Sequence, residues 1–281
     1  MNMKTLLLIA GVFAAAGFPL TGGAAGRCPA GKSGCTIDDA ASRSSVRASE
    51  STAKHTASPH EYGRVPLVAP IDAQPEGQTY GRWAAQWWQW AIGVPVAVNP
   101  LVDTTGANCA QRQRDEVWFL AGSFGPDRVD RSCEVPAGKS LFFPLINTAY
   151  FAFLNDEPPE TRTEDYVRAA PGSSCTVPAQ ISVWIDGFRV PNPTRFFTGA
   201  SGSQSPMFNV QMPPGNLFGD DGTSIPELVL SPSAEQGYYL FVQPLRPGPH
   251  TIRWVASGCT PGASQDITYH LTVLGEGGPH H

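Results

Sequence analysis

An aromatic segment at residues 80–90, YGRWAAQWWQW, constrains the fold of this chain more than any other feature. It holds four of the seven tryptophans, and its main aromatic positions are three, four and three residues apart: Tyr80, Trp83, Trp87 and Trp90. That spacing gives one stripe on an α-helix and does not fit a strand. Thr79 is suited to cap the helix, and Gly93 to end it. Because each buried aromatic side chain removes about 150–250 Å² from water, we expect the fold to pack on this helix.

The N-terminal part of the chain predicts export. Lys4 precedes an apolar run at residues 6–20, and small residues at 23–25 suit a cleavage site, so residues 1–25 have the pattern of a signal peptide. Residues 26–65 are rich in Ser, Ala and Thr without apolar periodicity, which predicts a disordered leader. We expect residues 66–281 to form a single β-sandwich domain with the Trp-rich helix at its N-terminus. The expected location is secreted or periplasmic, with no membrane insertion after signal cleavage.

The cysteines predict disulfide bonds. All six follow the predicted signal peptide, and none has the CxxC spacing of a zinc or redox site. Pairing by proximity gives Cys28–Cys35, Cys109–Cys133 and Cys175–Cys259, although six cysteines permit other connectivities. We therefore expect structural disulfides, and no cofactor or metal site.

The rest of the chain predicts short strands separated by turns that contain Gly and Pro. Strands are expected at residues 117–121, 140–146, 181–185, 188–190, 208–211, 238–245, 250–256 and 267–274. Asp186-Gly187 is a hairpin-turn dipeptide. A capping box at residues 161–164 predicts one further short helix, which ends near Ala170. The expected fold class is mainly β: an immunoglobulin-like or jelly-roll β-sandwich with the Trp-rich α-helix packed on it.

Three blocks together resemble a known family. They are YGRWAAQWWQW at residues 80–90, VWFLAG at 117–122 with CEVPAGKSLFFP at 133–144, and GYYLFVQPLRPGPHTI at 237–252. The chain is similar over about residues 75–275 to a family of exported, uncharacterised bacterial proteins that carry signal peptides. The resemblance implies export and a shared fold, and it supplies no catalytic or binding residues.

The charge balance disfavours two classes of partner. Beyond Leu67 the chain has 12 Arg and Lys against 20 Asp and Glu, a net charge of −8 for that part. Such a surface repels nucleic acid and anionic membranes, so we expect neither as a partner. The sequence leaves the oligomeric state open.

The Trp-rich helix has a second face that predicts a binding surface. Arg82, Gln86 and Gln89 lie away from the aromatic stripe, and Trp88 interrupts it. An exposed indole stacks on a pyranose ring while amide groups bond sugar hydroxyls, so we expect a small molecule or glycan to bind here. In the alternative interpretation, all four tryptophans belong to the core and Arg82 pairs with a carboxylate.

An acidic segment, residues 155–165, predicts the alternative function. Asp156, Glu157 and Glu160 could act as general acid and base in a secreted hydrolase that cleaves polysaccharide, where the separation of the carboxylates sets the stereochemistry. The same oxygens are also suited to bind calcium. The plainer interpretation is a solvated loop whose charges favour the start of the following helix.

A nucleophile motif has weaker support. Residues 121–125, AGSFG, resemble the elbow around a catalytic serine, and Asp186 or Asp220 and then His250 follow in the chain order of an α/β-hydrolase. No helix signal follows Ser123, which the elbow requires. We therefore expect His250 to have a structural role in its strand.

Overall fold

The computed structural model describes residues 68–114, 116–124, 127–153, 158–170, 172–200, 202–218 and 228–275. These ranges contain the helices α1 (Tyr80–Gly93) and α2 (Glu164–Ala169). Their strands are β1 (Val117–Phe119), β2 (Arg128–Val135), β3 (Ser140–Phe153), β4 (Val177–Ile185), β5 (Phe188–Arg189), β6 (Phe208–Gln211), β7 (Val229–Val242), β8 (Gly248–Cys259) and β9 (Ser264–Val273). The predicted signal peptide, leader and Cys28–Cys35 bridge lie outside the described residues.

The strands form two sheets. The first has the order β1-β3-β7-β6, and the second the order β2-β9-β8-β4-β5. Most neighbours are antiparallel, but β1 runs parallel to β3 and β2 runs parallel to β9. Each of the two sheets therefore mixes chain directions, which requires connections longer than hairpin turns.

The first sheet lies between α1 and the second sheet. On one of its faces Phe143 stacks on Trp254 of β8, with ring centroids 5.1 Å apart. On the other face Phe142 packs edge-on against Tyr80 of α1 at 5.9 Å. Because both faces are covered, 12 of the 14 residues of β3 are buried. The expectation of a mainly β, sandwich-like fold with the Trp-rich helix packed on it is confirmed.

Helix α1 begins where the sequence predicts, and hydrogen bonds and close packing then anchor it. The Thr79 hydroxyl oxygen accepts from the Arg82 backbone N–H at 3.3 Å, which caps the helix. The buried Tyr80 hydroxyl donates to the Ala69 carbonyl oxygen at 2.6 Å and accepts from the Phe241 N–H at 3.1 Å. A Cβ at Gly81 would lie 2.4 Å from the backbone of Gln204, so this glycine permits the close approach of helix and loop. These contacts fix α1 against the first sheet.

The sequence did not predict β2. Its residues alternate between exposed and buried, but one inward position is Arg131, which conceals the apolar pattern. Two nitrogens of the guanidinium have partners inside the fold: Nε and Nη1 donate to the carbonyl oxygens of Asp103 and Ala121, each at 2.7 Å, whereas Nη2 has no hydrogen-bond partner among the described residues. Nη1 also donates to the Tyr269 hydroxyl at 2.9 Å. A buried charge with such partners is tolerated where an apolar residue would be expected.

Several predicted boundaries differ from the structure. Strand β3 extends to Phe153 and not only to residue 146, and β4 begins at Val177 and not at residue 181. Strand β7 begins at Val229 and not at residue 238, because Pro232 and Gly237 interrupt the apolar pattern of its first half. Helix α2 begins after Thr163, whose hydroxyl oxygen accepts from the Tyr166 N–H at 3.3 Å. The predicted cap, Thr161, instead lies in a 3₁₀ turn and donates to the Pro158 carbonyl oxygen. The further short helix is confirmed, with its start two residues later.

The bridges Cys109–Cys133 and Cys175–Cys259 are present, as proximity predicts. The second joins residues that are 84 positions apart and ties the start of β4 to the end of β8. Two disulfides in a β-rich fold fit a protein of an oxidising, extracytoplasmic compartment. No helix within the described ranges is long and apolar enough to cross a membrane.

Candidate functional site

The indoles of α1 belong to the core. Three of them donate to backbone carbonyl oxygens: Trp83 to Pro75 at 3.0 Å, Trp87 to Leu120 at 2.9 Å and Trp90 to Gln111 at 2.8 Å. Trp88 is only 2% exposed and packs edge-on against Phe151 at 5.5 Å. The structure therefore corrects the expectation that Trp88 offers its ring to a sugar, because a second layer of aromatic side chains covers it.

The polar residues of the helix do not converge on Trp88 either. Arg82 is exposed near the N-terminus of α1. Gln86 is half-buried and donates to the Gln78 side chain, while Gln89 donates to the Asn209 carbonyl oxygen at 2.9 Å. Both amides thus join α1 to neighbouring segments, and the predicted surface lacks the exposed ring on which its chemistry depends.

The acidic segment is only partly described. Asp156 and Glu157 lie outside the described residues. Glu160 is exposed within the 3₁₀ turn Pro159–Arg162. The hydrolase alternative therefore stays a prediction.

Asp186 and His250, which the nucleophile motif would require, do contact each other. The His250 Nδ1 atom lies 2.7 Å from Asp186 Oδ2, and its Nε2 atom lies 2.7 Å from the Arg246 carbonyl oxygen. A catalytic histidine needs that second nitrogen for the nucleophile. The pair instead holds the Asp186–Gly187 turn against the start of β8, as expected for a structural histidine.

A buried polar cluster lies beneath α1. Glu235 of β7 has no exposed surface, and its Oε2 atom accepts from the Tyr239 hydroxyl at 2.7 Å. The Tyr239 hydroxyl in turn accepts from the Asn147 amide at 3.0 Å. Within the described residues, Glu235 Oε1 and the Trp88 indole nitrogen make no hydrogen bond of ordinary geometry, although the Ser205 hydroxyl lies near the carboxyl group and the indole lies near the Tyr239 hydroxyl. Such a cluster is costly to bury, and each unpaired group adds to that cost.

Burial changes the chemistry of this carboxyl group. Desolvation raises the pKa of Glu235 to about 7, even though the hydroxyls of Tyr239, Thr198 and Ser205 and the charge of Arg168 act in the opposite direction. The neutral form is therefore strongly populated near neutral pH. Burial, together with the Glu235 charge, also raises the pKa of Tyr239 well above its ordinary value, so that hydroxyl keeps its proton.

The space next to this cluster is too small for a sugar. A cavity beside it is lined by residues that include Trp88, Asn147, Ser123 and Gln265. The volume that the centre of a water molecule can occupy there is about 30 Å³. One water needs about 10–15 Å³ on this measure, so the cavity has room for about two. The cluster is a buried feature of the fold and is not open to a ligand.

The surface of the second sheet offers a larger opening. A groove of about 780 Å³ lies along β4, between β8 and the turn that follows β5. Its volume is within the range of about 300–1,000 Å³ that is usual for ligand sites. Half-buried Trp184 lines it, together with a set of polar side chains: Gln180, Ser182, Arg189, Asn192, Thr194 and Ser257.

The hairpin between β4 and β5 places Trp184 in this groove. Val183 and Ile185 face the core and are buried, so alternation along the strand turns Trp184 outwards. Asp186 and Gly187 form the two-residue turn with φ of 51° and 78°, as the dipeptide predicts. This turn pairs Trp184 with Arg189, so their side chains share one face.

Backbone contacts hold the far wall of the groove in place. The Val190 N–H donates to the Val183 carbonyl oxygen at 2.9 Å, and the Phe196 carbonyl oxygen accepts from the Tyr239 N–H at 3.1 Å. The wall residues 191–194 are therefore fixed at both ends, to β4 and to the first sheet. A preformed groove loses little conformational entropy when a ligand binds.

Alternation along β4 indicates an outward Trp184, whereas the aromatic segment at residues 80–90 predicted a site at Trp88. Residues 181, 183 and 185 are Ile, Val and Ile, which assigns Ser182 and Trp184 to the other face of the strand. The hairpin dipeptide then brings Arg189 opposite Trp184. Within the described residues, no cluster of three or more His, Cys, Asp or Glu side chains is suited to hold a metal ion.

Comparisons with known proteins supply no functional assignment. No family model matches the chain, and no curated protein matches its sequence. A solved structure, the cysteine protease inhibitor EhICP2 from Entamoeba histolytica, matches 50% of this chain and 85% of its own at 15% identity, with a TM-score of 0.18. A TM-score this low does not establish a shared fold.

Proposed function

We propose that this chain is an exported binding protein that takes a sugar in the groove along β4. The observation that carries the proposal is the outward-facing indole of Trp184 in a groove of about 780 Å³ with polar side chains around it. An indole face packs against the C–H groups of a pyranose ring, and nearby amides and hydroxyls pair with its hydroxyl groups. Gln180, Asn192 and Ser257 supply such groups.

The proposal keeps the predicted ligand class and moves the site. Trp88 is in the core, whereas Trp184 is half-buried on the outer face of β4 and lines a groove that is open to solvent. The two disulfides and the signal-peptide pattern support a place outside the cytoplasm, where free glycans occur. Membership of the exported family that the three sequence blocks resemble is part of the same proposal.

Isothermal titration calorimetry of the mature protein with neutral and acidic oligosaccharides tests this function. We expect Trp184→Ala to weaken binding at least about tenfold, because a buried aromatic anchor carries much of the affinity in such sites. Phe188→Ala is the matched control, since Phe188 is an aromatic residue of the same hairpin, 41% exposed, and does not line the groove. Equal affinity of the wild type and Trp184→Ala would refute the assignment.

The same samples separate binding from hydrolysis. Measurement of reducing ends after the titration detects any cleavage of the sugar. Binding without new reducing ends favours the binding protein, and new ends that disappear in Glu160→Gln favour the predicted hydrolase.

A further inference from the structure

The groove contains one cation and no anion among the residues that line it. Arg189 is exposed and stands directly opposite Trp184 across the β4–β5 pair. The other polar lining residues are neutral amides and hydroxyls. In the part of the chain that the structure describes, no carboxylate pairs with Arg189.

The other arginines on this face of the sheet are neutralised. Arg253 of β8 stands opposite Trp184 in the ladder between β4 and β8. Its guanidinium contacts both carboxylate oxygens of Asp266, at 3.0 and 3.2 Å. Arg128 on β2 pairs with Asp130 at 2.8 Å. Arg189 is thus the unpaired cation beside the indole, in a chain whose net charge is −5.

We propose that the ligand is an anionic oligosaccharide whose pyranose ring stacks on Trp184 while its acidic group accepts hydrogen bonds from Arg189. This inference rests on the proposed sugar-binding function and adds the charge of the ligand. The planar guanidinium presents two parallel N–H groups that match a carboxylate or a sulfate ester. A neutral sugar would leave these two N–H groups without a charged acceptor. A cationic ligand would need acidic residues, and none lines the groove.

The test compares ligands that differ only in charge. The probes are tetragalacturonic acid, its fully methyl-esterified form and a sulfated galactan tetrasaccharide, titrated into the full mature chain by calorimetry. We expect the acid to bind at least about tenfold more tightly than its ester, since hydrogen bonds to a charged group are stronger than neutral ones. Its advantage should shrink as salt is raised, because the pair is near the surface.

The two acidic probes identify the source of the charge. Tight binding of tetragalacturonic acid alone supports a carboxylate ligand, and tight binding of the sulfated tetrasaccharide alone supports a sulfate ester. Tight binding of both supports an anionic sugar of either kind. Equal affinity for the acid and its ester, lost in Trp184→Ala, would overturn the anionic ligand and keep the sugar site. No binding of any probe would overturn both.

Two variants test whether Arg189 binds the acidic group of the ligand. Arg189→Gln should reduce the affinity for the acid to that for the ester, and leave the ester within about twofold of the wild type. Arg128→Gln is the matched control, because it removes the same charge from the same face outside the groove. An equal loss in the two variants would overturn the role of Arg189. Tight binding of poly-glutamate that persists in Trp184→Ala and Trp184→Phe would also overturn the proposal, since it would indicate an acidic peptide.

Discussion

Replacement of Glu235 by Gln should stabilise the protein at alkaline pH and leave it nearly unchanged at acidic pH. The carboxyl group is fully buried, and burial raises its pKa from 4.5 to about 7. Below pH 4.5 both the folded and the unfolded chain keep the proton. Between pH 4.5 and about 7 the unfolded chain releases it while the folded chain retains it, so stability falls as pH rises. Gln cannot ionise and removes this dependence.

The size of the effect follows from the two pKa values. The difference between 4.5 and about 7 corresponds to about 3 kcal/mol of stability, all of which is lost above pH 7. Gln also keeps an oxygen that accepts from the Tyr239 hydroxyl, which donates to Glu235 at 2.7 Å in the wild type. At pH 8 we therefore expect Glu235→Gln to be more stable than the wild type by up to about 3 kcal/mol.

Urea unfolding, followed by tryptophan fluorescence at pH 4.5 and pH 8, measures this difference. Glu134→Gln is the control, because Glu134 is an exposed glutamate on β2 and should change stability by about 0.5 kcal/mol or less at both pH values. The same change in stability for Glu235→Gln at pH 4.5 and at pH 8 would refute the argument, since it would show that the buried group does not titrate differently in the two states.

Other changes test the packing. Gly81→Ala should destabilise the fold by several kcal/mol, because its Cβ would lie 2.4 Å from the Gln204 backbone. Gly93→Ala on the same helix, with 3.9 Å of clearance, should be close to neutral. Thermal unfolding compares the two variants, and equal melting temperatures would contradict the close approach. Replacing both Cys175 and Cys259 with Ser should lower the free energy of unfolding by about 4 kcal/mol, because the bridge spans 84 positions. Urea unfolding measures this loss, and an unchanged midpoint would contradict the prediction. Tyr80→Phe should cost about 1–3 kcal/mol in the same assay by leaving the Phe241 N–H unpaired, and a cost near zero would contradict that role.

Local sequence patterns predicted the elements whose signals are periodic. The aromatic stripe of α1, the Asp186-Gly187 hairpin and the two disulfides among the described residues follow from spacing alone. Strand β2 did not, because an inward Arg131 interrupts its apolar face, and its partners come from residues 103, 121 and 269. Hydrogen bonds between a buried charge and such distant groups cannot be predicted from a short stretch of sequence.

The candidate site shows the same limit. Periodicity gives one stripe of a helix, so it could not show that a second aromatic layer, which includes Phe151, buries Trp88 as well. The outward face of β4 could have been predicted from alternation, and with it Trp184 and Arg189. The groove itself could not, because its wall at residues 191–194 is held against the first sheet by a backbone bond between Phe196 and Tyr239.

The indole N–H signals of the ¹⁵N-labelled protein test the central claim most directly. The chain has seven tryptophans, and Trp184→Phe identifies the signal of Trp184 by its absence. During titration with tetragalacturonic acid we expect that signal to shift in a saturable way while the signals of the four buried tryptophans of α1 stay in place. A saturable shift of the Trp88 signal without a shift of the Trp184 signal would contradict binding at Trp184 and would place the site at α1.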